Sequence, residues 1–411
     1  MNNFLVHNEE VKKEMCAEIG VNSVEDLFKQ IPEKARMQSL DLAEALSELE
    51  TQRYVKSLAK KNNTDYISFL GAGCYNKFVP ACISQIAQRF EFNTAYTPYQ
   101  PEISQGTLQV MYEFQTMMCR LTGMDVANAT VYDAATACAE AILMSVRIKK
   151  QNKVLVSNSL NPEYKKVIET YTQANSIDVE WFDEIPANTA EYSCVLVQTP
   201  NFYGEIEDIK PIETLLVVCT DVSTLSILKP VECDIMVGDI QTLGIPMSYG
   251  GPSAGFMACK EKYMRQIPGR LAGRTVDADG EQAFTLTIQT REQHIKREKA
   301  TSNICSNQAL IGLCATVYLS VMGEEGFKQA GYLSAKQAHK LSEKLSAKGI
   351  KTLNKNFFNE FVIEVADADK TLAKLKEHNI IGGLKLDDKK ILVATTEMIS
   401  DKDIDLYVSS L

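Results

Sequence analysis

Short apolar runs separated by helical segments dominate the middle of the chain. These runs predict strands at 154–156, 179–182, 194–198, 215–221, 235–238 and 254–258. A helical pattern over 162–172 separates the first two strands, and such alternation indicates βαβ units around a buried parallel sheet. The carboxyl ends of parallel strands carry the ligand-handling residues. Asp221 and Gln241 stand at two of these ends.

Helical patterns dominate both ends of the chain. Residues 8–19, 24–30 and 39–61 have helical spacing, and the last segment carries Leu42, Leu46 and Leu49 on one side. Residues 311–322 form an apolar helix, followed by a long helix, strands at 359–365 and 391–395, and two further helices. We therefore predict a helical arm over 1–62, a large α/β domain over 63–308 and a small α+β domain over 309–411. The arm packs on its own domain or on a partner.

Composition narrows the class of protein. The chain has 411 residues, 45% apolar and 23% charged, which suits a globular protein of two domains. A net charge of −10 with mixed signs argues against nucleic acid or an anionic membrane as the main partner. The 11 cysteines lack C-x-x-C spacing, so reduced thiols in the cytoplasm are expected rather than disulfides or a metal site. The first twenty residues lack an apolar signal-peptide core, and no apolar run approaches the ~20 residues of a membrane helix.

Two loop segments have the composition of binding elements. Residues 69–77 read FLGAGCYNK, where Asn76 replaces the third glycine of a dinucleotide fingerprint. We therefore expect a glycine-rich turn with exposed backbone N–H groups rather than a nucleotide site. Residues 96–102 read YTPYQPE, and two prolines in seven residues favour a rigid extended loop. Such a loop presents its side chains at fixed angles.

Residues 267–306 are basic in an otherwise acidic chain. The cations are Arg270, Arg274, Arg291, Arg297 and Lys299. They suit carboxylates of a substrate or a partner, although two or three of the five are expected in structural pairs. His294 has no carboxylate at a defining spacing and is expected to be structural. Cys305 has no nearby His and is expected to be inert.

The stretch 214–256 resembles a known family. An Asp at a strand end, followed about twenty residues later by another strand end and a Gly-Gly-Pro turn, looks like the core of the fold-type-I pyridoxal-phosphate (PLP) enzymes. The YTPYQPE loop, the GIPMSYGGPSAG run and the segment from GRLAGRT to KATSNIC are similar to the PLP-less amino-terminal half of glycine decarboxylase, the P protein of the glycine cleavage system. The resemblance extends from about residue 3 to 411. Aligning the GIP and GGP runs places Gln241 where PLP-bearing members have the Schiff-base lysine, and an amide cannot form an imine.

The resemblance implies a fold and an activity. The fold would be that of PLP-dependent transferases of fold type I, with a mostly parallel seven-stranded sheet and a smaller α+β carboxyl-terminal domain. The enzyme, a decarboxylating glycine dehydrogenase and thus an oxidoreductase, would decarboxylate glycine on PLP and pass the aminomethyl group to the lipoyl arm of the H protein. PLP would lie on a homologous second subunit in an α2β2 heterotetramer, with none bound covalently to this chain. The amino-terminal helices would wrap that subunit.

Site residues follow from the same resemblance. The chain would complete the active cleft of its partner with residues of the YTPYQPE loop and an arginine, namely Tyr96, Thr97, Tyr99, Gln100, Glu102, Arg270 and Arg274. A degenerate PLP site would comprise Asp221, Gln241, Asp133 and Thr136. Asp133 and Thr136 stand where the family holds the cofactor phosphate, at a helix amino terminus. In a second reading they only cap that helix, and Ala134 replaces the usual glycine.

Two other readings remain open at the level of sequence. A self-sufficient PLP enzyme would use another lysine, with Lys229 or Lys260 near the right strands. A purely structural or regulatory subunit would place no residue in the active cleft.

Overall fold

The computed structural model describes residues 6–37, 39, 41–304 and 307–411. Cys305, expected to be inert, lies outside the described residues. The chain separates into two compact units, one ending at Thr64 and the other spanning Asp65–Leu411. Each unit is described by itself.

The amino-terminal unit contains two α-helices, α1 (Glu9–Ile19) and α2 (Glu48–Ala59), with short 3-10 turns at Val24–Phe28 and Glu33–Ala35. The helix predicted over 39–61 is therefore only half as long as expected. Its start is set by a capping box, in which the side chains of Ser47 and Glu50 bond each other's backbone N–H groups. Leu42 and Leu46 fit the apolar spacing but precede this cap, so the spacing alone gave the wrong boundary.

The second unit contains the remaining elements. Its helices are α3 (Ala81–Ala87), α4 (Phe90–Asn93), α5 (Gln105–Thr122), α6 (Ala134–Lys149), α7 (Pro162–Ala174), α8 (Gln293–Lys296), α9 (Ala309–Ala347), α10 (Ala368–Glu377) and α11 (Asp401–Ser409). Its strands are β1 (Ile67–Ser68), β2 (Val126–Ala127), β3 (Lys153–Ser157), β4 (Asp178–Phe182), β5 (Cys194–Gln198), β6 (Leu215–Asp221), β7 (Ile235–Asp239), β8 (Gly255–Cys259), β9 (Leu271–Val276), β10 (Gln282–Thr287), β11 (Lys351–Thr352), β12 (Glu360–Glu364), β13 (Ile380–Ile381), β14 (Leu384–Lys385) and β15 (Lys390–Ala394).

A seven-stranded sheet with the order β2-β8-β7-β6-β5-β3-β4 organises this unit. The strands from β7 to β4 run parallel, while β8 is antiparallel to both β7 and β2. Strand β6 is buried along nearly its whole length, because apolar clusters that include residues of α6 and α7 on one face and of α5 and α9 on the other cover the sheet. The expected mostly parallel seven-stranded sheet is confirmed.

A smaller antiparallel sheet, β11-β12-β15-β14, forms from the carboxyl-terminal residues. The short strand β1 pairs in parallel with β13, so Ile67 lies beside Ile380 although they are far apart in sequence. The long helix α9 leads into this part and is interrupted at Gly323, whose φ and ψ are 60° and −174°. The two helices predicted before and after residue 323 are thus present as one kinked element.

Among the described residues, α9 is the one helix long and apolar enough to cross a membrane by length and composition. Core helices of soluble proteins meet the same criterion, and Ile311, Leu313, Tyr318 and Leu341 of α9 are buried in the fold. The helix is therefore weak evidence for a membrane span.

The sequence patterns did not predict one hairpin. Strands β9 and β10 pair antiparallel, with Val276 opposite Gln282, and the tight connection contains Gly280 at φ +84°. Its Asp-Gly pair at 279–280 is a common hairpin signal. Arg270 and Arg274 of this segment were predicted as ligands of carboxylates, and Arg274 is a strand residue of β9.

Candidate functional site

A small enclosed cavity lies at the carboxyl ends of β6 and β7, where an open α/β sheet places its ligands. Asp221 and Gln241 both line it, so the structure brings these two predicted residues together. Its volume is about 40 Å³, and a water molecule needs roughly 10–15 Å³ on this measure. The cavity therefore has room for a few water molecules.

Asp221 is satisfied by neutral donors of its own neighbourhood. Its Oδ1 accepts hydrogen bonds from the backbone N–H of Ser223 at 3.0 Å and the hydroxyl of Thr242 at 2.8 Å. Its Oδ2 accepts the Ser223 hydroxyl at 2.8 Å. Asp221 thus fixes the turn that follows β6, in the position where fold-type-I enzymes would direct an Asp at the cofactor ring.

Gln241 is buried and turned towards the segment 71–77. Its Oε1 accepts a hydrogen bond from Tyr75 N–H at 3.0 Å, and its Nε2 donates to the carbonyl of Tyr75 at 3.0 Å and to that of Ile245 at 2.8 Å. Every hydrogen-bonding group of the amide except one lone pair is used. The residue at the lysine position is therefore a structural donor and acceptor.

Glu360 of β12 closes the cavity from the side of the small sheet. Its Oε1 accepts the backbone N–H of Ala72 at 2.6 Å, and its Oε2 is 2.8 Å from the Tyr75 hydroxyl. Burial raises the pKa of Glu360 to about 7, and burial together with the neighbouring Glu360 raises the pKa of Tyr75. The expected glycine-rich turn does present backbone N–H groups, but side chains of this same chain accept them: Glu360 accepts that of Ala72 and Gln241 that of Tyr75.

The amino terminus of α6 is also occupied by carboxyl groups. Asp133 caps the helix by accepting Thr136 N–H at 2.7 Å, in agreement with the capped-helix reading. Asp239 at the end of β7 accepts the backbone N–H groups of Gln241 at 2.6 Å and of Ala134. Burial raises the pKa of Asp239 to about 7. The position that would hold a phosphate is thus filled by two acids.

The residues of this cavity do not fit PLP. The described lining includes Asp221, Asp239 and Glu360 but no Lys or Arg, whereas a bound phosphate carries a charge of about −1.5 to −2. A volume of about 40 Å³ is also far below the roughly 300–1,000 Å³ of small-molecule pockets. Lys229 and Lys260 do not line the cavity either, and Lys260 lies 3.5 Å from Asp234.

A second cluster forms where the YTPYQPE loop meets the basic segment. The guanidinium of Arg270, only 2% exposed, donates from Nη2 to the Tyr99 hydroxyl at 3.0 Å and lies over the Tyr99 ring at 5.3 Å. Its Nε is 3.5 Å from Glu292 Oε2. The His294 ring meets the edge of Tyr99 at a centroid distance of 5.0 Å. We call Tyr99, Arg270, Glu292 and His294 the arginine cluster.

The other predicted cleft residues lie on the same loop and on β9. Tyr96 is 78% exposed, and Gln100 and Glu102 are exposed on the same loop. Thr97 accepts the Tyr99 N–H through its carbonyl, which shapes the turn. Arg274 is exposed on β9, and no described hydrogen bond or ion pair connects it to Arg270 or Tyr99. Within the described residues, the loop and the hairpin therefore contribute one buried arginine rather than two.

Sequence reasoning missed the acids that shape both sites. Asn359 and Glu360 interrupt the apolar run 357–363, and such a break in a buried strand is a usable signal. Asp239 ends a recognised strand and could have been found in the same way as Asp221. Glu292 stands only two residues from His294, but a spacing of two gave no reason to expect the Arg270 contact across the fold.

Comparison with known proteins agrees with this architecture. The family model described as "Glycine cleavage system P-protein" matches residues 2–411. The "Probable glycine dehydrogenase (decarboxylating) subunit 1" of Geobacillus thermodenitrificans is 44% identical over 445 residues, covering 100% of this chain and 99% of that protein. The protein of the same name from Desulforamulus reducens is also 44% identical, with 99% of each chain covered.

Comparison with solved structures supports the same family. The crystal structure of a glycine decarboxylase (P-protein) of the glycine cleavage system in inhibitor-bound form matches with a TM-score of 0.91 and 36% identity, covering 100% of both chains. The Burkholderia pseudomallei sphingosine-1-phosphate lyase, with a TM-score of 0.63, 11% identity and 92% of both chains covered, shares the fold alone. Full-length similarity in sequence and structure together places this chain in the glycine cleavage system P-protein family.

Proposed function

We propose that this chain is the PLP-less subunit of a glycine-decarboxylating enzyme of the glycine cleavage system. The observation that carries the proposal is the cavity at Gln241, which has the position of a cofactor site but neither the lysine nor the charge nor the volume for PLP. A subunit that keeps the fold without the site depends on a homologous partner for the cofactor. PLP then supplies the electron sink for decarboxylation on the partner subunit, in an α2β2 assembly.

The contribution of this chain to the reaction is the arginine cluster. Arg270 is held by Glu292 and directs the Tyr99 hydroxyl, while Tyr96 and Glu102 remain exposed beside it. A rigid loop with exposed aromatic and acidic side chains over a buried arginine suits one wall of the partner's cleft, next to bound glycine. The lipoylated H protein then approaches the completed cleft.

The amino-terminal arm (1–62) supports the partner proposal. None of the residues of α2 is buried, and Tyr54, Val55 and Leu58, which share one side of the helix, are 42–57% exposed. An apolar face of this kind is suited to a protein surface. We assign it to the partner subunit, and we assign residues 63–308 and 309–411 to the large and small domains of a cytoplasmic enzyme.

Trapping of PLP with borohydride tests which subunit binds the cofactor. The full chain is mixed with PLP, reduced with borohydride and mapped by peptide mass spectrometry, alone and with its partner subunit. We expect a pyridoxyl-lysine only in the presence of the partner and only on the partner. A stable pyridoxyl-lysine on the isolated chain at Lys229, Lys260 or another site would refute the proposal.

Substitution of Tyr99 tests the assignment of the cleft. In the reconstituted enzyme, Tyr99→Phe removes the hydroxyl bound by Arg270, and we expect about a tenfold or larger loss of glycine decarboxylation, corresponding to roughly 1.4 kcal/mol of transition-state stabilisation. Tyr203→Phe, a half-exposed tyrosine outside the arginine cluster, is the matched control. Unchanged activity of Tyr99→Phe in an intact complex would favour the purely structural reading.

A further inference from the structure

The amide of Gln241 pairs with both backbone groups of Tyr75. The N–H of Tyr75 donates to Oε1 and its carbonyl accepts from Nε2, each at 3.0 Å, with relative exposures of 4% and 7% for the two residues. A lysine ammonium has three donors and no acceptor. It would leave the buried Tyr75 N–H without an acceptor, which costs about 1–3 kcal/mol. The glutamine is therefore favoured by the structure, and is more than the absence of a lysine.

Tyr75 continues the connection to the small sheet. Its hydroxyl is bound to Glu360 of β12 at 2.8 Å. The next residues follow the same course, since the Asn76 carbonyl accepts the Thr396 hydroxyl at 2.6 Å and Lys77 Nζ lies 3.1 Å from Glu397 Oε2. Residues 71–78 are thus bound to the small sheet and its following turn at several points. On the side of the large sheet, Gln241 binds both backbone groups of Tyr75, and Asn161 Nδ2 donates to the Ala72 carbonyl at 3.2 Å.

Two glycines, Gly71 and Gly204, show how closely the backbone of the large domain approaches Glu360 of the small sheet. A Cβ on Gly71 would lie 2.3 Å from Glu360 Oε1, and one on Gly204 would lie 2.0 Å from the Glu360 carbonyl. Contacts below 3.0 Å require something to move. The contact with Gly71 leaves the Glu360 carboxyl little freedom, and the cavity beside it has a volume of only about 40 Å³.

We propose that Gln241 is a positioning residue, which together with Tyr75 and Glu360 forms an internal strut that fixes the small sheet on the large sheet in place of a cofactor. The strut makes the arrangement of the two sheets independent of any ligand. It also predicts that restoring a lysine at position 241 is not sufficient to create a PLP site. The inference concerns contacts within this chain and does not depend on the proposed role of the arginine cluster.

Hydrogen exchange of the full chain, measured by mass spectrometry, tests the strut. Gln241→Met keeps the approximate shape of the side chain and removes its three described hydrogen bonds, each worth about 0.5–1.5 kcal/mol. We expect the amides of 72–76 to exchange about tenfold or more faster, while those of β5 stay unchanged. Gln241→Glu keeps one acceptor but sets a carboxyl oxygen against the carbonyls of Tyr75 and Ile245, so it should accelerate exchange at least as much as Gln241→Met.

The matched control is Thr224→Val. Thr224 lines the same cavity, but its described bonds are to the Asp221 carbonyl at 2.7 Å and the Thr220 hydroxyl at 3.2 Å, so exchange in 72–76 should stay at the wild-type rate. Two outcomes would overturn the proposal. One is wild-type exchange in 72–76 for folded Gln241→Met, and the other is equal acceleration in every peptide, which would indicate a global effect.

Gln241→Lys supplies the second measurement. After incubation with PLP and borohydride, we expect no pyridoxyl-lysine at position 241 in the isolated chain, together with faster exchange in 72–76. Efficient labelling of the Gln241→Lys variant at position 241, with wild-type exchange, would show that the cavity accepts the cofactor without disturbing the segment, and would overturn the strut. Labelling of the lysine on the partner subunit tests the proposed function and is measured separately. Failure of the proposed function can therefore be distinguished from failure of the strut.

Discussion

Replacing Glu360 by Gln should remove a pH dependence from the free energy of unfolding. The pKa of Glu360 is raised by burial from 4.5 to about 7 in the folded protein. Gln retains an oxygen that accepts the Ala72 N–H and offers an NH2 group to the Tyr75 hydroxyl, so it imitates the protonated acid. Unlike the acid, it does not titrate.

The direction of the pH dependence follows from the proton that Glu360 holds in the folded state. Between pH 4.5 and about 7, the folded protein keeps a proton on Glu360 that the unfolded chain has released, so the free energy of unfolding falls as the pH rises. The stabilisation is complete below pH 4.5 and is lost by about pH 7. Each pH unit corresponds to 1.36 kcal/mol, so the interval of about 2.5 units amounts to roughly 3 kcal/mol.

Urea denaturation at pH 5, 6, 7 and 8 measures this difference. Asp239, whose pKa is also raised to about 7, contributes a similar slope to both proteins and cancels in the comparison. We expect wild type to lose roughly 2–3 kcal/mol relative to Glu360→Gln between pH 5 and 7, and Glu364→Gln, exposed on the same strand, to follow wild type. Parallel curves for wild type and Glu360→Gln would refute the assignment of the proton to Glu360.

Three further substitutions test other parts of the fold. Lys77→Met leaves the buried Glu397 without its ion-pair partner and should lower the free energy of unfolding, measured by urea denaturation, by about 3–5 kcal/mol. The double variant Lys77→Met with Glu397→Met should recover a part of this loss. If the losses of the two single variants simply add in the double variant, the pairing is contradicted. Gly204→Ala should destabilise the protein by more than Gly280→Ala does, because both have φ +84° but only the first brings a Cβ against Glu360; equal losses would rule out the close approach. Arg270→Lys should lower activity of the reconstituted enzyme about tenfold, because an ammonium cannot reproduce the planar contacts of the guanidinium, and wild-type rates would contradict its positioning role.

The large sheet was predictable because its signal is local. Strands β5 and β6 were predicted with their observed bounds, since each is a buried apolar run with a polar residue at its end. Helical patterns predicted separate helices before and after residue 323, and the structure joins them into α9 with non-helical φ and ψ at Gly323. The start of α2 was not, since a capping box outweighs apolar spacing.

The candidate site was predictable only in part, because several of its contacts join residues that are far apart in the sequence. Asp221 and Gln241 are 20 residues apart and lie on neighbouring strand ends, so a pattern could connect them. The contact of Tyr75 with Glu360 joins residues separated by 285 positions, and that of Arg270 with Tyr99 joins residues separated by 171. No periodicity relates such pairs, because the topology of both sheets decides which of them meet.

The pairing of β1 with β13 has a consequence for the order in which the protein is made. Ile67 and Ile380 are 313 residues apart, and a ribosome adding about 5–20 residues per second needs roughly 16–60 s to cover that interval. During this time the segment after β1 has emerged while its partners in the small sheet do not yet exist. All seven strands of the large sheet lie before residue 260 and therefore leave the ribosome earlier than β13 and β15, so the contacts of β1 and of the segment after it form only once those later strands are made.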